Sequence, residues 1–228
     1  MRELQPGLWH WQAPHPEWQT SEPWDPNVSS YAIDDGESLL LFDPMGVPDE
    51  IEALAAERET AIVLTAPWHE RDTQSLVERL GVPVFTPLPD SAQYLMDTYG
   101  ITAEQAGDGS PDLVWLLREN KSEARPYSPG DQLPHVAQVF PGHKQNDTVL
   151  WVESQRAVIS GDTLVDFGQG LEINEGWLRP GVTREEIAAG LRPTRVAGRA
   201  RARHAWGTDR PGRPRACALL SNGPRTSN

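Results

Sequence analysis

The sequence predicts a layered α/β fold, because strand-like segments fall into two groups with helical patterns between and after them. Each group consists of short apolar segments that follow one another closely along the chain, as the strands of a meander do. The segments are Leu8–Gln12, Ser29–Ile33 and Ser38–Phe42 in the first group, and His135–Phe140, Asp147–Glu153 and Arg156–Ser160 in the second. Strands grouped in this way, with helices in between, indicate layers of sheet and helix rather than an all-β barrel.

The first group ends in a strand that is covered on both faces. Asp34-Asp35-Gly36-Glu37 is a turn sequence, and it separates the last two strands of the group. The strand after it contains Leu39, Leu40, Leu41 and Phe42 without alternation. A continuous apolar run is typical of a strand between two layers.

Two helices and a further buried strand follow. Ile51, Leu54 and Ala55 have helical spacing among acidic residues, which predicts an amphipathic helix after Pro48. The apolar run 61–65 predicts a strand that leads into a polar loop. A second amphipathic helix then follows, and Gly81 is expected to end it.

The rest of the chain contains a polar insertion and a final helix. The region from Asp90 to Tyr127 is interrupted by glycine and proline and is weakly helical, so we interpret it as an insertion or lid. After the second strand group, Thr183 and Glu186 have the spacing of a capping box that opens a helix, and Pro193 stops it.

Composition restricts the partners and the compartment. A formal charge of −13 over 228 residues argues against nucleic acid or an anionic membrane as the main partner. The first residues contain no apolar run long enough for a signal peptide or a membrane span, so a cytoplasmic protein is expected. Cys217 is the only cysteine, which excludes an intrachain disulfide and a cysteine-rich zinc motif.

The charge changes sign near Arg192. Nine of the 20 Lys and Arg residues but only one of the 33 Asp and Glu residues lie in 192–228, so this segment carries +8 and residues 1–191 carry −21. We therefore predict one domain over 1–191 and an atypical tail, disordered or loosely attached, over 192–228. The tail is either a basic arm for nucleic acid or an acidic partner, or the product of a frameshift that replaced the native ending.

Three loops that leave apolar strands carry potential metal ligands. They contain His69 with Asp72, then His143, then Asp162. Imidazole and carboxylate are the ligands that zinc accepts from a protein poor in cysteine. Each also has a structural explanation: His69 as a loop histidine, Asp72 as a helix N-cap and Asp162 as a turn residue.

In combination these loops resemble the metallo-β-lactamase superfamily. The resemblance runs from about Leu8 to Leu191. It rests on the segments Asn27-Val28-Ser29-Ser30-Tyr31, Leu41-Phe42-Asp43, Leu64-Thr65 with His69, Phe140-Pro141-Gly142-His143 and Ser160-Gly161-Asp162-Thr163. It implies an αββα sandwich of two mixed β-sheets flanked by helices, with a two-metal hydrolytic site.

The metal-binding motif departs from the pattern of that family. The family's first loop is His-x-His-x-Asp-His, and the matching positions here hold Pro67, His69, Arg71 and Asp72. His143 and Asp162 match the later histidine and the bridging aspartate. The family's final histidine, which follows a further strand, has no counterpart, so we expect the usual C-terminal strand and helix to be absent.

Arg71 is the most consequential departure, because a guanidinium is neither a ligand nor a base. We hypothesise that it forms an ion-pair network with Glu70, Asp72 and Asp162 in the space of a second metal. The remaining set of His69, Asp72, His143 and Asp162 suits one zinc ion at most, and a site without metal is the alternative.

Two functions follow from this resemblance. One is a single-metal hydrolase of a small ester, lactone or thioester, with Arg71 and Asp72 as candidates for a catalytic role. The other is a non-catalytic member that binds a small ligand or a partner. The tryptophans Trp11, Trp24 and Trp68 are expected to line the pocket. A missing terminal strand would leave a sheet edge open to homodimer formation.

Overall fold

The computed structural model describes residues 1–22, 24–109, 113–118, 121–136, 138–166, 170–191 and 215–221, the last of these by its backbone alone. The chain divides into two compact units, Met1–Ser128 and Pro129–Asn228. Each contains one β-sheet and its own hydrophobic core.

The first unit contains a seven-stranded sheet in the order β1 to β7. The strands are β1 (Arg2–Gln5), β2 (Leu8–Pro14), β3 (Asn27–Asp34), β4 (Ser38–Phe42), β5 (Glu59–Val63), β6 (Val84–Pro87) and β7 (Ala124–Tyr127). Pairs from β1 to β4 are antiparallel and pairs from β4 to β7 are parallel, so the predicted mixed sheet is confirmed.

Four helices accompany this sheet: α1 (Asp49–Glu57), α2 (Thr73–Leu80), α3 (Ala92–Tyr99) and α4 (Ala103–Ala106). Ile51 of α1 and Leu76 of α2 pack with Leu41 and Ile62 of the sheet in one buried cluster. Full burial of such side chains stabilises a fold by about 1.5–3 kcal/mol each. The helices cover the face of β4 that carries Leu39 and Leu41, and all four apolar residues of the run are buried. The helix α2 ends at Gly81, whose φ of +64° is left-handed.

The polar insertion adds a strand that the sequence did not predict. Besides α3 and α4 it contains a π-helical turn at Val114–Arg118, followed by β7, which pairs with β6. Residues 110–112 and 119–120 lie outside the described part of the chain.

The second unit contains β8 (Gln138–Pro141), β9 (Thr148–Val152), β10 (Ala157–Asp166), β11 (Leu171–Glu172) and β12 (Arg215–Ser221). The resemblance implied a mixed sheet, whereas every strand pair that the structure describes here is antiparallel. The final helix, α5 (Arg184–Gly190), has the predicted capping box of Thr183 and Glu186. Its Ile187 packs with Phe140 and Trp151.

The strand β12 corrects one expectation about the tail. The sequence predicted no C-terminal strand, but Arg215–Ser221 pairs with β10, with Ser221 opposite Ala157 and Arg215 opposite Asp166. The other tail residues, 192–214 and 222–228, lie outside the described residues, and so does His204.

None of the helices that the structure describes combines the length and the apolar character needed to cross a membrane.

Candidate functional site

Two loops of the first unit meet at the carboxyl ends of β4 and β5. These strands are parallel neighbours, so the residues after them emerge at the same edge of the sheet. The Asp72 N–H donates to Pro44 O at 3.2 Å, and Asp72 Oδ2 accepts from the Gly46 N–H at 2.6 Å. Asp72 occupies the N-cap position of α2, as expected, but its side chain makes no capping hydrogen bond. It ties the two loops together instead.

His69 is held by a buried carboxylate in this loop cluster. Its Nδ1 lies 3.1 Å from Asp43 Oδ2, and Asp43 also accepts from the Thr65 N–H at 2.8 Å and the Thr65 hydroxyl at 2.6 Å. Asp43 is 2% exposed. Asp43 was not among the predicted site residues, although an aspartate directly after an apolar strand is a visible signal in the sequence.

The surroundings of Asp43 favour its ionised form. Burial alone would raise the pKa of Asp43, but the charge and hydrogen bond of His69 oppose it, followed by the Arg71 guanidinium and the Thr65 hydroxyl. The result is a pKa below the usual value. An ionised Asp43 can accept a hydrogen bond from His69 Nδ1–H, and in the neutral form of that ring the lone pair then lies on Nε2.

Arg71 binds main-chain carbonyls. Its Nη1 donates to Ser29 O and to Asp43 O, both at 2.7 Å. The predicted ion-pair network is therefore wrong for two of its members. Asp72 accepts a hydrogen bond from the Gly46 N–H, and the carboxylate of Glu70 accepts one from the indole N–H of Trp115. The third predicted member, Asp162, belongs to the second unit.

The three predicted pocket tryptophans differ in their surroundings. Trp11 is buried in the core of the first unit and donates from Nε1 to Met45 O at 2.8 Å, so it has a structural role. Trp24 packs against the buried cluster of Ala13, Val28 and Met45. Trp68 is half-buried and lies edge-on to His69, with 6.1 Å between the ring centroids. It is therefore next to a candidate metal ligand.

The second unit holds His143 in a similar way. His143 Nδ1 lies 2.6 Å from Oδ2 of Asp147, a fully buried carboxylate. The Thr163 hydroxyl donates to the same carboxylate oxygen and accepts from the His143 N–H at 2.9 Å. The Nε2 atom of His143 is buried and has no hydrogen-bond partner among the described residues.

Gly142 makes this arrangement possible. A Cβ at this position would overlap Asp147 Oδ2 and Thr163 Oγ1, closer than real Cβ contacts come. The Gly142 N–H also donates to Asp147 O at 2.8 Å. The Pro-Gly-His and Gly-Asp-Thr segments thus meet on one carboxylate because the glycine has no side chain.

Asp162 is attached to the same carboxylate through its main chain. Its N–H donates to Asp147 Oδ1 at 3.2 Å. The sequence placed Asp162 in a loop after a strand ending at Ser160, but β10 continues to Asp166, with an irregular register against β12 between Ser160 and Val165. The structure therefore brings His143 and Asp162 together around Asp147, which the sequence analysis missed.

The donor set suits a metal only in part. Within the described residues, no group of three or more His, Cys, Asp or Glu side chains is arranged to hold a metal ion. What does fit is the buried, unpartnered Nε2 of His143, because histidines that bind metal characteristically donate from their other ring nitrogen to a carboxylate. His69 and Asp72 lie in the first unit, and His143 and Asp162 in the second.

Comparison with known proteins gives matches among solved structures alone. No protein-family model and no curated protein matches the sequence. The metallo-β-lactamase IND-7 matches with a TM-score of 0.50 and 10% identity, over 88% of this chain and 88% of that chain. At this identity the match concerns the fold alone.

Two other structures match with lower TM-scores. TTHA1623, in a di-iron-bound form, is 26% identical over 72% of this chain and 79% of its own, with a TM-score of 0.45. TTHA1429 from Thermus thermophilus, a metallo-β-lactamase family protein, is 19% identical over 83% and 69%, with a TM-score of 0.47.

Proposed function

We propose that this chain, which has the metallo-β-lactamase fold, is a hydrolase that uses a single metal ion to act on a small ester, lactone or thioester. The proposed ligands are His143 and Asp162 of the second unit, and zinc is the expected ion. The observation that carries the proposal is the buried Nε2 of His143, which lacks a partner among the described residues.

A buried nitrogen without a partner needs an explanation, because leaving such a group unsatisfied costs about 1–3 kcal/mol. Nδ1 of the same ring is bound at 2.6 Å to Asp147, which fixes the ring and leaves Nε2 to receive a ligand. A metal ion would satisfy that atom. His69 supports this interpretation, because Asp43 holds its Nδ1 in the same way.

In this proposal the protein's own residues bind the metal ion and orient its ligands. Asp147 and Thr163 fix the ring and the main chain of His143, and Asp147 also holds the main chain of Asp162. A bound zinc ion would supply a Lewis acid and a water of lowered pKa. Arg71 cannot accept a proton under working conditions, so it is not the base.

A second candidate is the non-catalytic member of the fold that binds a small ligand. The observation that favours it is the anchoring of Arg71 on Ser29 O and Asp43 O, which puts a fixed cation at the position where the family has an aspartate. Pro67 at the first ligand position supports the same interpretation.

Metal content separates the two candidates. The full chain is dialysed against zinc, its bound metal is measured by plasma mass spectrometry, and hydrolysis of p-nitrophenyl acetate, a lactone and a thioester is assayed. We expect one zinc ion per chain and chelator-sensitive turnover of at least one substrate. Metal without turnover would favour the ligand-binding candidate.

The variant His143→Ala should lose the zinc, whereas His135→Asn, which changes an exposed histidine of the same unit, should keep it. Asparagine is chosen because residue 135 has a φ of +58°, which asparagine tolerates. Absence of stoichiometric zinc from the unaltered protein would refute the metal-dependent function.

A further inference from the structure

We propose that Arg71 is an oxyanion-binding residue, which holds a carboxylate or phosphate group of the ligand on the Nε and Nη2 edge of its guanidinium. This inference rests on the proposed function for the small-molecule nature of the ligand, but it does not require a metal. It assigns the ligand to a chemical class: a small molecule with an anionic group.

The hydrogen bonds of Arg71 leave one edge of the side chain available. A guanidinium has five N–H donors, two of them on each terminal nitrogen. The two on Nη1 are directed to Ser29 O and Asp43 O. Within the described residues, the structure records no hydrogen bond or ion pair for Nε or Nη2. These three donors form the planar edge that binds carboxylates and phosphates with two parallel hydrogen bonds.

The position of this edge is fixed before any ligand binds. Ser29 belongs to β3 and Asp43 directly follows β4, so Nη1 is anchored to two neighbouring strands. The backbone of Arg71 has a φ of +49°, which is rare for a residue with a side chain. The next residue, Asp72, is hydrogen-bonded to the main chain of Pro44 and Gly46. Such a site avoids much of the entropy cost of ordering a long side chain upon binding.

The charge of Arg71 is not neutralised by a direct ion pair with a described carboxylate. The nearby carboxylate of Asp43 is fully buried and is bonded to His69 and Thr65. The effect of the cation reaches His15, whose pKa is lowered first by burial and second by the charge of Arg71. Arg71 itself is half-buried, so part of the residue is open to solvent.

The test uses the full chain stripped of metal by a chelator and dialysed, so that a carboxylate cannot bind through a metal ion. Binding of benzoate, phenyl phosphate and the neutral benzamide is measured by isothermal titration calorimetry. We expect both anions to bind and benzamide to bind at least tenfold more weakly. A preference for one of the two anions would identify the oxyanion of the natural ligand as carboxylate or phosphate.

Two variants locate the anion. Arg71→Gln should weaken benzoate binding at least tenfold, and Arg71→Lys should weaken it severalfold, because lysine keeps the charge without the planar edge. Arg79→Gln is the matched control, because Arg79 is a half-exposed arginine of the same unit that pairs with Glu52. It should bind benzoate as the unaltered protein does.

A measurement on the unaltered protein keeps the inference testable if a variant does not fold. In protein labelled with ¹⁵N-arginine, benzoate should shift one Nε–H resonance and benzamide should not. Equal affinity for benzoate and benzamide, or unchanged binding in Arg71→Gln, would overturn the inference. Because no metal is present, this outcome is separate from the zinc measurement that tests the proposed function.

Discussion

Replacing Asp147 by asparagine tests whether a buried charge organises the second unit. Asp147 accepts hydrogen bonds from His143 Nδ1 at 2.6 Å, from the Thr163 hydroxyl and from the Asp162 N–H at 3.2 Å. Asparagine has nearly the same size but lacks the charge, and its amide group would place a donor where one of these donors needs an acceptor. The substitution therefore changes the electrostatics and leaves the volume almost unaltered.

The expected loss follows from the burial of the pair. The side chains of His143 and Asp147 are 1% and 0% exposed, so solvent screens their interaction very little. A single hydrogen bond to a charged group contributes about 1.5–3 kcal/mol, and a buried group left without a partner costs about 1–3 kcal/mol. We expect Asp147→Asn to lower the free energy of unfolding by about 3 kcal/mol.

Urea denaturation measures this difference, with tryptophan fluorescence as the signal, because Trp151 lies in the core of the same unit. Zinc affinity is measured in parallel, and a loss of about 10- to 100-fold is expected for a residue that orients a ligand. An unchanged urea midpoint would refute the reasoning, since it would mean that the carboxylate is not needed for folding. An unchanged zinc affinity in a destabilised variant would restrict Asp147 to a structural role.

Two further predictions concern the surroundings of the candidate ligands. Asp43 has a lowered pKa in the folded protein, so its contribution to stability is present above the ordinary aspartate pKa of 3.8 and is lost as the pH falls through the lower folded pKa. Asp43→Asn should remove this part of the acid sensitivity, as measured by urea midpoints over a pH series, and identical pH profiles for the two proteins would contradict the prediction. Gly142→Ala should lower the free energy of unfolding by about 1–3 kcal/mol, because the new methyl group overlaps Asp147 and Thr163. The control Gly190→Ala meets no atom within 4 Å, so thermal melting should show stability that is equal or higher by up to about 1 kcal/mol.

Local patterns predicted the elements that local chemistry determines. Gly81 ends α2, Thr183 and Glu186 open α5, and the apolar run in β4 is buried. The strand β7 was missed because Ala124-Arg125-Pro126-Tyr127 has little strand character and is held by pairing with β6. Pairing with β10 likewise accounts for β12, where the sequence indicated an unstructured tail.

The sequence identified the candidate histidines His69 and His143 but not the carboxylates that hold them, Asp43 and Asp147. Asp43 lies 26 residues before His69, so their contact depends on the parallel pairing of β4 and β5. Both carboxylates nevertheless had a signal in the sequence, because each adjoins a buried strand. Asp43 directly follows β4 and Asp147 directly precedes β9. The ion-pair network was predicted for Arg71 on the assumption that a cation needs carboxylates. Main-chain carbonyl oxygens of Ser29 and Asp43 accept its hydrogen bonds instead.

The bonds made by Asp147 couple the position of the His143 ring to that of the Asp162 main chain. A rearrangement that moves Asp147, in the turn before β9, also moves the carboxylate to which the irregular segment of β10 is hydrogen-bonded. Substitutions at the two positions should therefore have non-additive effects, and attempts to retune one residue by directed evolution would have to accommodate the other.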